Sequence, residues 1–422
     1  MRDIIVNALN SLGIENYLIT ECEKNCKEMF FIKQTLDMTR TEALDEWNVT
    51  VYNDSPDGQK RGAASCMIHQ GMDEEEVKKT LNDAYYAAGF AMNPFYSIVS
   101  GTKEEPVKAE GSLAQLTLAE AAGRMAEALF EADNREDSFV NSAELFVEKK
   151  TVNIINSAGV DCGYESYSVK GEFVVQCLEP EDVELYQDFS YDELDKDSLK
   201  KLVSNKLNTV VDRARASKAP AAGRYDVLLS EDSVREVLSF YSRRADAAYI
   251  YPKYSTYEIG MKVQGDAVEG EKLNITLHSS APYNNDGIRM KDCELIKDGV
   301  LKNIHGGLRV SQYLKAAPTG EYSKLVADNG TKSLEELKSG RVLHVVSFSD
   351  FNMDSMTGHF AGEIRLAYLY DNGSVSLVTG GSVNGSLIDA QGSMEFSTEH
   401  YESSSYSGPY AVLLRDIPVS GE

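Results

Sequence analysis

Lys297-Asp298-Gly299 lies between two apolar runs, Cys293 and Leu295 before it and Val300, Leu301 and Ile304 after it. Asp-Gly accepts the positive φ angles of a two-residue turn whose twist matches that of paired strands, so this stretch predicts a β-hairpin. Upstream, Asn284-Asn285-Asp286-Gly287 is turn chemistry of the same kind, because Asn, Asp and Gly tolerate positive φ and close local hydrogen bonds. A second hairpin is marked by Tyr370-Asp371-Asn372-Gly373-Ser374 between Ile364-x-Leu366 and Val375-x-Leu377. The segment from Asn284 to Gly307 therefore organises a C-terminal portion built largely of strands.

The rest of the chain reads differently. Its 422 residues exceed what one ordinary core holds, which predicts two or three domains. Hydrophobic residues at 42% and charged residues at 26% are globular proportions. Helical apolar spacing is expected in Met1 to Gly13, in the segment opened by Asp73-Glu74-Glu75-Glu76, in Thr117 to Glu131 and in Ser198 to Ala216. Strands are expected at Asn16 to Cys22 and Met29 to Leu36 around a polar turn Glu23-Lys24-Asn25, then at Asn48 to Tyr52 and Gly62 to Ile68. Further strands cover Phe139 to Asn156 and Tyr164 to Leu178, with Asn156-Ser157-Ala158-Gly159 reversing the chain. Thr102 to Gly111 reads as a charged linker, and Lys218 to Gly223 as a domain boundary. Beyond it come a short buried-type strand, Tyr225 to Leu229, and a helix to about Arg243 that Ser230 or Ser233 is placed to cap. The expected architecture is α+β. Smaller N-terminal α+β units at 1–101 and 111–218 precede a larger, mostly β domain with a few helices at 224–422.

Charge excludes one partner class. A formal net charge of −25 repels a polyanion, so no nucleic acid is expected to bind directly. No run approaches 18 apolar residues, so no membrane-spanning helix is expected, and the six scattered cysteines fit reduced thiols in a cytoplasmic protein. Cys22-x-x-x-Cys26 lacks a second Cys or His pair at zinc spacing and reads as two thiols flanking a turn.

Candidate chemistry is sparse. The histidines at 69, 278, 305, 344, 359 and 400 never fall at the spacing of a zinc helix; His344 reads as a core or edge residue and His359 as a loop residue. Asp350-x-Asn352-x-Asp354 begins like a calcium loop, but Ser355 replaces the required Gly and Ala361 the bidentate Glu. Neither a phosphate-binding glycine loop nor a nucleophile elbow of the G-x-S-x-G type occurs. Tyr249, Tyr251, Tyr254 and Tyr257 offer aromatic contact area to a substrate or partner, although strand propensity alone accounts for them more cheaply.

The order of several short segments resembles the TldD/PmbA family, and within it the PmbA (TldE) branch. They are Asn156-Ser157-x-Gly159-Val160, Tyr225-Asp226-Val227-Leu228-Leu229-Ser230 and Asn285-Asp286-Gly287, then Leu295-Ile296-x-Asp298-Gly299-Val300-Leu301. Ser333-Leu334-Glu335-Glu336-Leu337, Met356-Thr357-Gly358-x-Phe360, Gly373 and Val419-Ser420-Gly421 complete the series. The resemblance implies a metal-dependent peptidase system of two subunits that also bears an old label as modulator of DNA gyrase. TldD-type chains carry His-Glu-x-x-x-His on the helix opening the third domain. The corresponding positions here are Val234, Arg235 and Ser239, and no histidine occurs between His69 and His278.

The departure implies a chain with no catalytic residues, metal or cofactor of its own. It would be the PmbA/TldE-like partner of a TldD-like zinc peptidase subunit that acts on peptides or unfolded proteins, and a homodimer when alone. The alternative is a self-sufficient hydrolase with a site the motifs do not reveal.

Overall fold

The computed structural model describes residues 1–421. Its N-terminal part is a single seven-stranded sheet faced by four helices. In chain order these are α1 (Arg2–Ser11), β1 (Asn16–Ile32), β2 (Thr35–Asp54), β3 (Lys60–His69), α2 (Glu74–Ala88) and β4 (Met92–Pro94). Then follow α3 (Leu118–Glu131), β5 (Phe139–Asn156), β6 (Asp161–Cys177), β7 (Val183–Tyr191) and α4 (Lys196–Arg215). The strand order β4-β3-β2-β1-β5-β6-β7 joins the two expected N-terminal units through the β1–β5 pair, which runs from Leu18↔Asn156 to Ile32↔Ser142. Each half keeps its own core. Ile5, Leu9, Val77 and Leu81 of α1 and α2 pack with Val49, Val51 and Ile68. Met125 and Leu129 of α3 and Leu199, Val203 and Leu207 of α4 pack with Leu145, Val147, Phe173 and Val175. Capping boxes at Asp73/Glu76 and Thr117/Glu120 satisfy the first amides of α2 and α3.

One expected turn is overturned. Glu23, Lys24 and Asn25 lie in the middle of β1, and the chain reverses at Lys33-Gln34, where Lys33 has φ 54°. A polar run persists in a strand here because β1 is central, with its backbone groups paired on both sides. Lys24 also meets Glu42 of β2 at 2.9 Å and Glu148 of β5 at 3.2 Å. Cys22 and Cys26 therefore sit on one strand, about 13 Å apart by strand rise, and flank no turn. The segment read as a linker is tied to the sheet by the bridges Lys103↔Asp161 and Val107↔Tyr164.

After Lys218 the chain enters β8 (Gly223–Ser230), α5 (Asp232–Arg244), α6 (Ala247–Ile250), β9 (Ile275–His278), β10 (Cys293–Lys297), β11 (Val300–Leu301) and α7 (Leu308–Tyr313). It continues through β12 (Lys324–Ala327), α8 (Leu334–Leu337), β13 (Arg341–Met353), β14 (His359–Asp371), β15 (Ser374–Val378), β16 (Ser382–Ser386) and α9 (Leu387–Ala390). The last strands are β17 (Glu395–Phe396), β18 (His400–Glu402), β19 (Tyr406–Pro409) and β20 (Ala411–Ser420). Strands β13-β8-β20-β16-β14 are neighbours in that order, and β14 pairs back to β13, which closes a barrel. A second, open sheet has the order β11-β10-β9-β12-β19-β18. One core, including Val227, Leu229, Val237, Leu238, Leu295 and Phe360, joins barrel, α5 and second sheet. Helices and strands thus share the chain as an α+β fold. Among the described residues no helix is long and apolar enough to cross a membrane.

Both hairpin turns form as their sequences dictate. Asp298 and Gly299 have φ 50° and 74°, and Asn372 and Gly373 have φ 50° and 86°, the pattern of a two-residue turn with both central residues left-handed. Three local expectations are corrected. Ser230 does not cap α5: Glu231 occupies the cap position, and the Ser230 hydroxyl faces His344 instead. The tyrosine-rich stretch forms a helical turn and loop rather than a strand, since Asp246 caps α6 through the Ala248 amide. His359 opens β14, its ring bonded to Asn384 Oδ1 at 2.7 Å. Strand β7, unforeseen, adds an edge to the N-terminal sheet.

Candidate functional site

The helix on which family chemistry would sit is α5. Val234 is fully buried in the core, so it faces no solvent that a metal or its water would need. Arg235 is held by Glu236 at 2.9 Å and Asp232 at 3.7 Å. Ser239 borders a shallow hollow with Ser242 and His305, and His305 Nε2 lies 2.9 Å from the Ser242 carbonyl oxygen. Among the described residues no three His, Cys, Asp or Glu side chains gather closely enough to hold a metal ion. A zinc site takes at least three such protein ligands, so the residues along α5 do not fit the zinc of TldD-type chains.

Three of the four tyrosines share a surface. Tyr251 and Tyr254 are 46% and 54% exposed, and Tyr254 meets the Tyr249 ring edge-on at 6.2 Å. Tyr251 packs on Tyr313 of α7 at 5.2 Å, and Tyr313 on Tyr96 at 6.4 Å. Tyr257 is corrected as a contact residue. It is only 4% exposed and lies beneath the Arg244 guanidinium at 5.0 Å, so anything approaching this surface meets the other three rings.

The deepest chemistry lies at the other end of α5. Between β8 and α5 the chain turns at Glu231, with φ 56° and ψ −128°. That combination is unfavourable for a residue with a Cβ, costing on the order of 1–3 kcal/mol, and strain of this kind clusters at functional sites. It places Glu231 on the wall between two adjoining cavities, of about 570 Å³ and 330 Å³, which also share Leu202, Asn205 and Tyr410. Asp188, Lys201, Asp232 and Arg235 line the larger, and Lys206 and His344 the smaller. Burial pushes the Glu231 and Asp232 carboxyls above their usual range. It pushes the Lys206 amine below its usual range, against the opposing pull of Glu231, Asp232 and Asp188. His344 is 4% exposed, and burial lowers its pKa to about 3. Its Nε2 meets Ser230 Oγ at 3.1 Å, whereas its Nδ1 has no partner.

Sequence reasoning read His344 as a core or edge residue and missed the chamber. Lys206 is one of several lysines on an amphipathic helix, and nothing local distinguishes it. The one available signal was Ser230-Glu231-Asp232-Ser233 between a buried strand and a helix. A strand-to-helix corner often carries chemistry, but its left-handed φ on a glutamate is set by tertiary packing.

With this geometry in view, residues 222–421 match the model of the PmbA/TldA metallopeptidase C-terminal domain. No curated protein sequence matches the chain. Among solved structures, TldE from Thermococcus kodakarensis is 14% identical, with a TM-score of 0.78 and full coverage of both chains (100% each). A protein described as a modulator of a DNA gyrase, from Thermotoga maritima, is 15% identical with a TM-score of 0.79 and 99% of each chain covered. A similarly described protein from Bacteroides thetaiotaomicron is 17% identical, with a TM-score of 0.79 and coverage of 100% of this chain and 99% of that one. The metallopeptidase-related class is thus shown for residues 222–421, and over the full length the likeness is one of fold. The C-terminal part of the chain, residues 222–421, belongs to the TldD/PmbA family.

Proposed function

We propose that this chain is a PmbA/TldE-like, non-catalytic subunit that assembles with a TldD-like zinc peptidase acting on peptides or unfolded proteins. The observation that carries the reading is the make-up of α5. Where a TldD-type chain offers two histidines and a glutamate, this helix offers buried Val234, ion-paired Arg235 and Ser239. A zinc-activated water has no route to form on these residues, so hydrolysis falls to the partner. Tyr249, Tyr251 and Tyr254 follow α5 directly and supply contact area of the kind enriched at interfaces. In this reading the assembly is cytoplasmic, and the chain is homodimeric when the partner is missing. Residues 1–101, 111–218 and 224–422 are the units we assign to it.

Co-expression with a TldD-type chain tests the reading. The two should co-purify, and peptidase activity should appear only in the mixture. A chain that stays monomeric at tens of micromolar by light scattering, with no shift when the partner is added, would overturn it.

A further inference from the structure

The paired cavities between α4, β7 and the start of α5 hold charges of both signs, and two of them, Lys206 and Glu231, the protein does not pair. Among the described residues neither the Lys206 ammonium nor the Glu231 carboxylate has an ion-pair or hydrogen-bond partner, and only longer-range attraction links them. Lys206 and Glu231 are half-buried on the cavity wall, so a ligand that pairs both groups gains contacts that the protein itself does not supply. Uncharged groups repeat the pattern. His344, nine-tenths buried and more, leaves Nδ1 without a partner on the same wall as Lys206 and Glu231. Ser403 Oγ is likewise buried and unpartnered beside the larger cavity, and Arg235 Nε, 3.7 Å from Asp232, makes no hydrogen bond. Phe189, Tyr191, Leu202, Tyr401 and Tyr410 give the larger cavity an aromatic and aliphatic stretch of wall, and Ser190, Ser198, Asn205, His400 and Glu402 are among the polar groups beside it. A concave site of a few hundred Å³ that combines aromatic wall with convergent polar groups can take a small molecule.

The signs of the charges narrow the ligand. A simple anion would meet repulsion from Asp188, Glu231 and Asp232, and a simple cation from Lys201, Lys206 and Arg235. A molecule bearing both charges satisfies each set. We propose that this chamber binds a small zwitterion, an amino acid or a short peptide with both ends free, its ammonium on Glu231 and its carboxylate on Lys206 and Arg235. Its side chain lies against the aromatic wall. The inference does not depend on the assembly reading, which rests on the ligand-poor face of α5 and on the exposed tyrosines.

Calorimetric titration of the full chain with leucine, Leu-Leu and Leu-Leu-Leu, each also in N-acetylated and C-amidated form, tests it. At least one unblocked probe should bind saturably with Kd below about 1 mM, and blocking either end should weaken it at least about tenfold. The best unblocked probe then distinguishes a free amino acid from a peptide. Lys206→Gln should abolish the preference for a free carboxylate, and Glu231→Gln that for a free amine. If either variant fails to fold by circular dichroism, the blocked probes on the unmodified chain decide. Three outcomes would overturn the proposal: no saturable binding up to about 10 mM, a range that corresponds to negligible affinity; indifference to both blocking groups; or full affinity in both folded variants.

Discussion

His344 offers a direct test of how tightly the barrel excludes water. It stands in β13, with its Nε2 on Ser230 Oγ of neighbouring β8 at 3.1 Å. Burial, with a small contribution from Lys338, lowers its pKa from 6.5 to about 3. The unfolded chain therefore takes up a proton near pH 6.5, whereas the folded chain stays neutral until about pH 3. Stability is present above the unfolded value and lost as pH falls through this window, by about 1.4 kcal/mol for each unit below 6.5. At pH 4.5 the loss from this residue alone is about 2.7 kcal/mol. His344→Gln removes the titration and leaves an amide that can reach Ser230. Urea unfolding of both proteins, followed by tyrosine near-UV circular dichroism at pH 7, 5.5 and 4.5, reads the difference. At pH 7 the variant should be the less stable, by about 1–2 kcal/mol for the poorer fit. By pH 4.5 that gap should close or invert, because only the unmodified protein loses the histidine contribution. A gap constant to within about 0.5 kcal/mol across the series would refute the reasoning, since it would mean a folded pKa near the unfolded one.

Three further outcomes follow from the same coordinates. Gly385→Ala in β16 puts a Cβ 2.5 Å from Phe360 Cζ, so it should destabilise the barrel by about 1–3 kcal/mol and lower the urea midpoint. An unchanged midpoint would show that the Phe360 ring yields freely. Tyr251→Asp with Tyr254→Asp should weaken association in light scattering while leaving the circular dichroism spectrum intact, because both rings are exposed; loss of folding would instead make them core residues. Elemental analysis after chelator-free purification should find no stoichiometric zinc, and about one tightly held zinc per chain would contradict the reading of α5.

Local chemistry made much of the fold legible. The Asp298-Gly299 and Asn372-Gly373 turns, the helices opened by Asp73 and Thr117, and the buried strand before α5 all follow from short-range rules. What failed was decided at longer range. Glu23-Lys24-Asn25 has turn composition, yet strands on both sides supply Glu42 and Glu148 to Lys24. The tyrosine stretch has strand propensity, yet the Asp246 cap and the packing of Tyr257 under Arg244 set it as a helical turn and loop. The lack of zinc ligands on α5 was readable from histidine positions alone. The charged chamber was not, because Lys206, Glu231 and His344 come from three separate segments that only the tertiary fold brings together.

Closure of the barrel changes the reason for expecting a partner. From the sequence, a β-rich domain with several hairpins has edges that another chain could pair. The return of β14 to β13 closes the barrel and leaves the five-residue β15 beside β14 as its short edge strand. The second sheet ends in two very short strands, Val300–Leu301 and His400–Glu402, which is how edges are commonly blunted. In the N-terminal sheet β7 is the long free edge, and it carries Glu184 and Asp188, whose charge opposes strand addition. Backbone pairing therefore gives little drive for association, and the drive must come from side chains. The segment after α5 exposes Tyr251, Tyr254, Ile259 and Met261 and ends where Lys262 bridges Val300 of the second sheet. An interface built there would be sensitive to charge placed on the tyrosines and insensitive to changes along the strand edges. Proline in β7 at Glu184 should thus leave association unchanged, whereas the double aspartate substitution should reduce it.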